Sequence, residues 1–326
     1  MKLKIGIIGF GRIGKIHYNN IAQQIEDAQV LLLADVNQDG LPQEVTLTDV
    51  DSLIDSPDID AVVICSPTDT HADYVERCAR AGKHVFCEKP LDLSLDRIEK
   101  TLAVLEETDI KLMLGFNRRF DPNFLKLRSL VQDGKVGDLQ IVKITSRDPG
   151  PPPLTYLQSS GGMFLDMSIH DFDMARYMMG KRVVQVYAEA STLTGGDVEV
   201  AGDIDTAVIT LRFEDGALAV IDNSRKAIYG YDQRMEVFGS KGMAKVENNA
   251  PDTHLYYGKN MVEASLPLNF FMDRYTDSYL AEMRAFVRAC IDDTPVPVGA
   301  VDGKEAAKIA VAAIRSVRER KPVQID

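Results

Sequence analysis

The opening run KIGIIGFGRIGKIHYNN constrains this chain more than any other stretch. A short apolar segment ends at Gly9, Phe10 and Gly11, and Gly14 follows as helical character begins. Gly9, Gly11 and Gly14 form G-x-G-x-x-G, a spacing that is weak alone but here closes a strand and opens a helix. Gly9 permits the tight turn, Gly11 lets a pyrophosphate approach the backbone, and Gly14 lets the helix pack close to the strand. Free N–H groups of the first helical turn would receive the phosphates, so Phe10, Arg12 and Ile13 join the glycines as candidate cofactor contacts. Asp35 ends the next apolar run, about 20 residues on, where an acid can take both ribose hydroxyls. Val36, Asn37 and Gln38 bring no Arg or Lys for a 2′-phosphate, which favours NAD over NADP. The competing reading, a glycine-rich turn with no ligand, leaves Asp35 in register unexplained.

The rest of the first 118 residues repeats the strand–helix alternation. VLLLADV, AVVICSP, HVFCEKP and KLMLGFN are apolar runs, separated by helical stretches that include THADYVERCARAG and SLDRIEKTLAVLEET. Near-continuous apolar strands alternating with helices predict a parallel sheet covered on both faces, a doubly wound Rossmann domain over residues 1–118. Ser94 is positioned to cap its helix. The stretch VNQDGLPQE (residues 36–44) is too short, and too broken by Gly40 and Pro42, for the usual second crossover helix, which puts the adenine side of the pocket in doubt. After Asn117 the pattern changes to one helix, a strand, the break PGPPP, a second helix and then strand-like runs with hairpin turns at EDG and SKG. Two helices follow. Residues 119–326 are therefore expected to form an α+β domain with an open-faced, mostly antiparallel sheet and helices on one face. An apolar-leaning open face predicts a homo-oligomer.

A formal net charge of −12 argues against nucleic acid or an anionic membrane as partner, because both need a basic surface. No apolar stretch approaches the roughly 20 residues of a membrane span, and the glycine-broken start does not read as a signal peptide. Cys65, Cys78, Cys87 and Cys290 lack metal or redox spacing and read as reduced thiols of a cytoplasmic protein.

Chemistry-bearing residues gather where the strands end. Ser66 and Thr68 follow the third strand and could line the nicotinamide side. Thr70 reads equally as a helix cap, and His71 as a first-turn helix residue, although both lie within the same ligand-facing loop. Glu88 and Lys89 end the fourth strand, with Pro90 restraining the turn; a cis Lys89–Pro90 bond is expected there. FLDMSIHDFDMARY (residues 164–177) carries poor helix formers. On a helical wheel Asp166, His170, Asp173 and Tyr177 fall in one stripe about 60° wide on an otherwise apolar cylinder. A solvated face would favour Lys, Glu and Gln instead. Asp and His one turn apart could share a cation, but spacing offers no third ligand, so no metal is expected. Asp171 lies off the stripe and reads as structural.

Taken together, GIIGFGRIGKIH, CEKP, GFNRRFDPNF and GGMFLDMSIHDFDMARYM resemble the Gfo/Idh/MocA oxidoreductase family, and NSRKAIYGYDQRMEVFGSKGM with DRYTDSYLAEM is similar to its inositol 2-dehydrogenase branch. The likeness spans nearly the whole chain. It implies NAD-dependent oxidation of a secondary alcohol in a cyclic polyol, most simply myo-inositol to its 2-keto product. It also implies a homotetramer or dimer. The family's Lys–Asp–His set falls on Lys89, Asp166 and His170, with Asn117 and Arg118 near the nicotinamide and substrate. The chemistry suits these roles. Imidazole titrates near neutrality, so His170 can take the hydroxyl proton, Asp166 can orient it or bind the polyol, and Lys89 can stabilise alkoxide charge. Asp173 and Tyr229 are expected polyol contacts, since a sugar-like ring needs many directional partners. Another cyclitol or an aldose remains a same-class alternative, and a non-catalytic dinucleotide-binding regulator a different one.

Overall fold

A computed structural model of the chain describes residues 2–37 and 40–325. It divides into two compact units: Met1–Phe120 with Asp277–Ala307, and Asp121–Thr276 with Lys308–Asp326.

The first unit begins with β1 (Leu3–Ile8), α1 (Arg12–Gln24), β2 (Ala28–Ala34), a two-residue β3 (Thr46–Leu47) and α2 (Val50–Asp55). Then come β4 (Ala61–Ile64), α3 (His71–Arg80), β5 (His84–Cys87), α4 (Leu95–Glu106) and β6 (Leu112–Leu114). All pairs are parallel, in the order β3-β2-β1-β4-β5-β6, the doubly wound arrangement that reverses direction between β1 and β4. Every residue of β4 is buried, as expected where helices cover both faces. The five expected strands are present. The sixth, β3, is too short for any periodicity to announce it. Among the described residues no helix joins Asp35 to Thr46; part of that segment, residues 38 and 39, lies outside the described residues. Ser94 occupies the cap position of α4, but its side chain makes no cap bond. The Asp92 carboxylate accepts from the Ser94 N–H at 2.8 Å instead. The unit is not continuous in sequence, because residues from Asp277–Ala307 pack into it. Leu114 N–H donates to the Val298 carbonyl at 3.1 Å, and Phe286 meets Phe86 with ring centroids 5.8 Å apart.

The second unit opens with α5 (Pro122–Gln132), capped by Asp121, whose carboxylate accepts from the N–H groups of Asn123 and Phe124. β7 (Leu139–Arg147), α6 (Leu154–Leu157), α7 (Met163–Asp166), α8 (Ser168–Met179), β8 (Val183–Ser191) and α9 (Asp197–Ala201) follow. Next are β9 (Thr206–Phe213), β10 (Leu218–Ser224), β11 (Asp232–Gly239), β12 (Gly242–Val246) and a separate hairpin of β13 (Leu255–Tyr257) and β14 (Val262–Ala264). The chain ends with α10 (Phe271–Arg274), α11 (Thr276–Ile291), α12 (Ala300–Glu319) and β15 (Val323–Gln324). The main sheet runs β12-β11-β7-β10-β9-β8-β15. It is antiparallel except between β7 and β10. Alternation fixes its faces. Ala207, Ile209 and Leu211 of β9 and Ala219 and Ile221 of β10 are buried, on the side where α8 packs. Val208, Leu218 and Val220 point the other way and are exposed.

Candidate active site

In the first unit the three glycines have separable surroundings. Gly9 has φ +92°, and a Cβ there would sit 2.6 Å from the backbone of Cys65 and Ser66. A Cβ on Gly14 would lie 2.1 Å from the Gly9 carbonyl oxygen. Gly11 is different. It is exposed, and a Cβ would meet nothing within 4 Å. It caps α1, whose first turn has no acidic residue, so the helix N-terminus offers N–H groups and positive partial charge to an anion. Asp35 ties β2 to this loop, its carboxylate accepting from the N–H of Phe10 and from that of Asn37 at 2.6 Å. The Phe10 ring is buried against Leu33 and Val45, so only its backbone faces the loop. Arg12 is exposed and Ile13 half-buried.

The loop after β4 is held internally. The Ser66 and Thr70 hydroxyls are 2.6 Å apart, and Thr70 Oγ1 donates to the Pro67 carbonyl at 2.7 Å. Thr70 makes no side-chain cap bond to α3, and Thr68 sits in a single 3-10 turn. His71 is buried, with Nδ1 2.8 Å from the Pro90 carbonyl and Nε2 2.8 Å from that of Ser66. Both ring nitrogens are thus engaged by backbone, and the residue joins two turns rather than reaching a cofactor. Glu88 also departs from expectation. Its carboxylate meets His17 Nε2 at 2.8 Å and packs over Gly115, where a Cβ would come within 2.8 Å of it. It turns into the unit instead of standing with Lys89 at the ligand face. Lys89 is half-buried, and the Lys89–Pro90 bond is cis. Asn117 and Arg118 are both buried, in the 3-10 turn Asn117–Phe120.

In the second unit the expected single helix is two, α7 and α8, separated at Met167. The His170 N–H donates to the Met167 carbonyl at 3.3 Å, an i→i−3 bond that tightens the junction. Asp203 anchors the start, accepting from the Met163 N–H at 3.1 Å. Burial follows the wheel at Asp166, His170 and Tyr177 and departs from it at Asp173 and Arg176. From Met163 to Met179 only Asp166, His170, Arg176 and Tyr177 are half-exposed, and the rest are buried. Asp173 is a correction: it is 1% exposed, so it is not an open contact for a polyol. Asp171 is fully buried and accepts from Asn223 Nδ2 at 2.9 Å. Tyr177 lies against the Arg128 guanidinium, 5.2 Å from ring to cation.

Asp166 is held by residues that sequence reasoning missed. Tyr156 donates its hydroxyl to Oδ1 at 2.8 Å, and both terminal nitrogens of Arg225 lie 3.3 Å from Oδ2. Arg225 is 1% exposed and also lies 3.5 Å from Asp203. A signal existed. Ala219, Ile221, Asn223 and Arg225 are alternate residues, and all four are buried, so the strand period carries an Arg to the inward face. Tyr229 donates to Asp232 at 2.6 Å and accepts from Arg147 at 3.1 Å. Burial, then its bond to Asp232, pushes its hydroxyl above the ordinary tyrosine range. Its oxygen is committed to this network, which limits it as a polyol contact.

Comparison with known proteins agrees with this layout. Residues 3–116 match the model of an oxidoreductase family with an NAD-binding Rossmann fold, and residues 124–245 match that of the GFO/IDH/MocA C-terminal domain. The chain is 46% identical to the myo-inositol 2-dehydrogenase of Thermotoga maritima, over 99% of both chains. It is 43% identical to the inositol 2-dehydrogenase of Rhizobium meliloti, over the full length of both. Among solved structures, scyllo-inositol dehydrogenase from Lactobacillus casei with bound NAD(H) and scyllo-inositol superposes with a TM-score of 0.91 at 32% identity, covering 99% of each chain. A glycine loop open at Gly11, a half-exposed Asp–His pair across two consecutive packed helices and these full-length likenesses converge: the chain belongs to the Gfo/Idh/MocA family of NAD-binding oxidoreductases.

Proposed function

We propose that the protein is an NAD-dependent dehydrogenase of a cyclic polyol, oxidising myo-inositol at a secondary hydroxyl to the 2-keto product. The observation that carries this reading is Asp166 and His170, two of the few half-exposed polar residues on a segment otherwise packed away from water. The names and full-length coverage of the relatives support the substrate.

The residues present fit the cofactor. Gly11 leaves room for a pyrophosphate at the α1 N-terminus. Asp35, with two N–H partners, retains carboxylate lone pairs for ribose hydroxyls. Bound NAD supplies the hydride acceptor. His170 takes the hydroxyl proton as general base. Asp166, fixed by Tyr156 and Arg225, gives an acceptor whose direction costs little to organise on binding. Lys89 supplies positive charge for the developing alkoxide.

The exposed Val208, Leu218, Val220 and Phe238 on the open face of the second unit's sheet support a homo-oligomer, dimeric or tetrameric, and the four unpaired cysteines fit a cytoplasmic enzyme. Incubation with NAD and a panel of inositol isomers and aldoses, read as NADH absorbance, is expected to give fastest turnover with myo-inositol. Turnover confined to aldoses, or none at all, would sink the substrate assignment.

A further inference from the structure

His17 on α1, Glu88 directly after β5 and Glu282 on α11 converge in the core of the first unit. One side-chain atom from each lies within 4.8 Å of the other two. His17 and Glu282 are wholly buried, and the Glu88 side chain is 15% exposed. His17 Nε2 and Glu88 Oε1 are 2.8 Å apart. Neither oxygen of Glu282 meets a hydrogen-bond partner, and neither does His17 Nδ1. The rings of Phe86 and Tyr279 stand edge-on to His17 at 4.9 and 5.8 Å. The Cys65 and Cys87 thiols lie close enough for both to be influenced by the Glu88 charge, and burial first, then that charge, holds both protonated.

A wholly buried carboxylate without a donor, this close to a second carboxylate, is costly to hold as an anion. A cation or a proton would relieve this. Two ligands on one tetrahedral metal ion at the usual bond lengths stand about 3.4 Å apart. The 2.8 Å between His17 and Glu88 is instead a normal N–H···O length, so the proton fits the space better. We propose that His17, Glu88 and Glu282 form a buried proton-sharing trio. Glu282 is the neutral acid and donates to Glu88 through one bridging water, while His17 donates from the other side, and together they fix the turn that carries Lys89. Glu282 is then a positioning residue for Lys89, a role that rests on the catalytic reading of Lys89 above.

Burial, and then the Glu88 charge, raises the Glu282 carboxyl well above 4.5. The sign follows: the folded state holds this proton more tightly than the unfolded chain. Stability is full in acid and falls as pH rises from about 4.5 toward the folded value. The Tm of the wild type is therefore expected to fall more steeply from mildly acidic to mildly alkaline buffer than that of Glu282→Gln.

The decisive measurement is infrared difference spectroscopy of wild type against Glu282→Gln at neutral pH, in water and heavy water. The carbonyl stretch of a protonated carboxylic acid is expected in the wild type, deuterium-sensitive and absent from the variant. If the variant does not fold, wild type with isotope-labelled glutamate gives the same titration. A band that disappears near pH 4.5 with the ordinary carboxylates, or one divalent ion per chain in the wild type that Glu282→Gln loses, would overturn the trio. Neither readout needs a substrate, so both stand apart from the inositol assignment. For positioning, Glu282→Leu is expected to lower kcat about tenfold with NAD affinity unchanged, and Glu282→Gln, which keeps a donor, to restore it. Unchanged kcat in a folded Leu variant would refute the positioning role.

Discussion

At the residue scale, two side chains of the second unit face different physical tests. His170 is half-exposed on a packed helix, so little of the fold depends on its ring. His170→Ala is expected to lower kcat by about 10²–10⁴-fold, the range for a lost general base, with NAD affinity measured by fluorescence titration unchanged. Equal losses in both would make His170 structural. Arg225 is the opposite case. It is buried between the Asp166 and Asp203 carboxylates, and its removal leaves two negative groups without their cation. Arg225→Met is expected to cost about 3–5 kcal/mol, read as a lower denaturation midpoint, and also to lower kcat because Asp166 loses its anchor. A folded Met variant with unchanged midpoint would show that the pair contributes nothing. His170 was legible in the sequence because a wheel needs only local spacing. Arg225 was half-legible: the strand period gave its face, but its partner lies 59 positions away, and spacing cannot supply that distance.

At the scale of elements, the glycine loop separates folding from binding. A Cβ at Gly14 would strike the Gly9 carbonyl, whereas one at Gly11 would meet open space. Gly14→Ala is expected to lower Tm clearly, since backbone must shift and α1 lifts from β1. Gly11→Ala is expected to leave Tm near the wild-type value and weaken NAD binding at least tenfold, because its methyl occupies the pyrophosphate approach. Calorimetry and NAD titration of both variants check this, and equal NAD affinity in Gly11→Ala and wild type would contradict it. The motif announced the element but not its stitching. The Asp35 bond to the Phe10 N–H appears only once β1 and β2 lie side by side. The break at Met167 was equally hidden, because a wheel assumes an unbroken helix. Asp166, His170 and Tyr177 still share a half-exposed stripe because the helical residues on both sides continue across Met167, which has φ −97° and ψ −58°.

At the scale of the whole molecule, the solvent-facing side of the second sheet presents apolar side chains to water. Val208, Leu218, Val220 and Phe238 are all exposed there, on strands whose opposite faces are buried. A proposed homo-oligomer that uses this face should fail when it is charged. The double variant Val208→Lys, Val220→Lys is expected to sediment as a smaller species than the wild type while keeping its circular dichroism. An unchanged sedimentation coefficient would move the interface elsewhere. The net charge of −12 adds self-repulsion that an apolar interface must overcome, so added salt is expected to favour the assembled form.

The sequence by itself determined the parallel and mostly antiparallel sheets, the dinucleotide loop and the stripe carrying Asp166 and His170. All of these are local patterns, set by steric and hydrophobic rules that act over a few residues. Only the tertiary structure decided what each polar group spends its bonds on. Glu88 turns to His17 and His71 to two carbonyls. Asp173 is buried, and Asp277–Ala307 joins the first unit. The reason is physical. A buried polar group takes whichever partner the fold brings within reach, and that partner can come from anywhere in the chain.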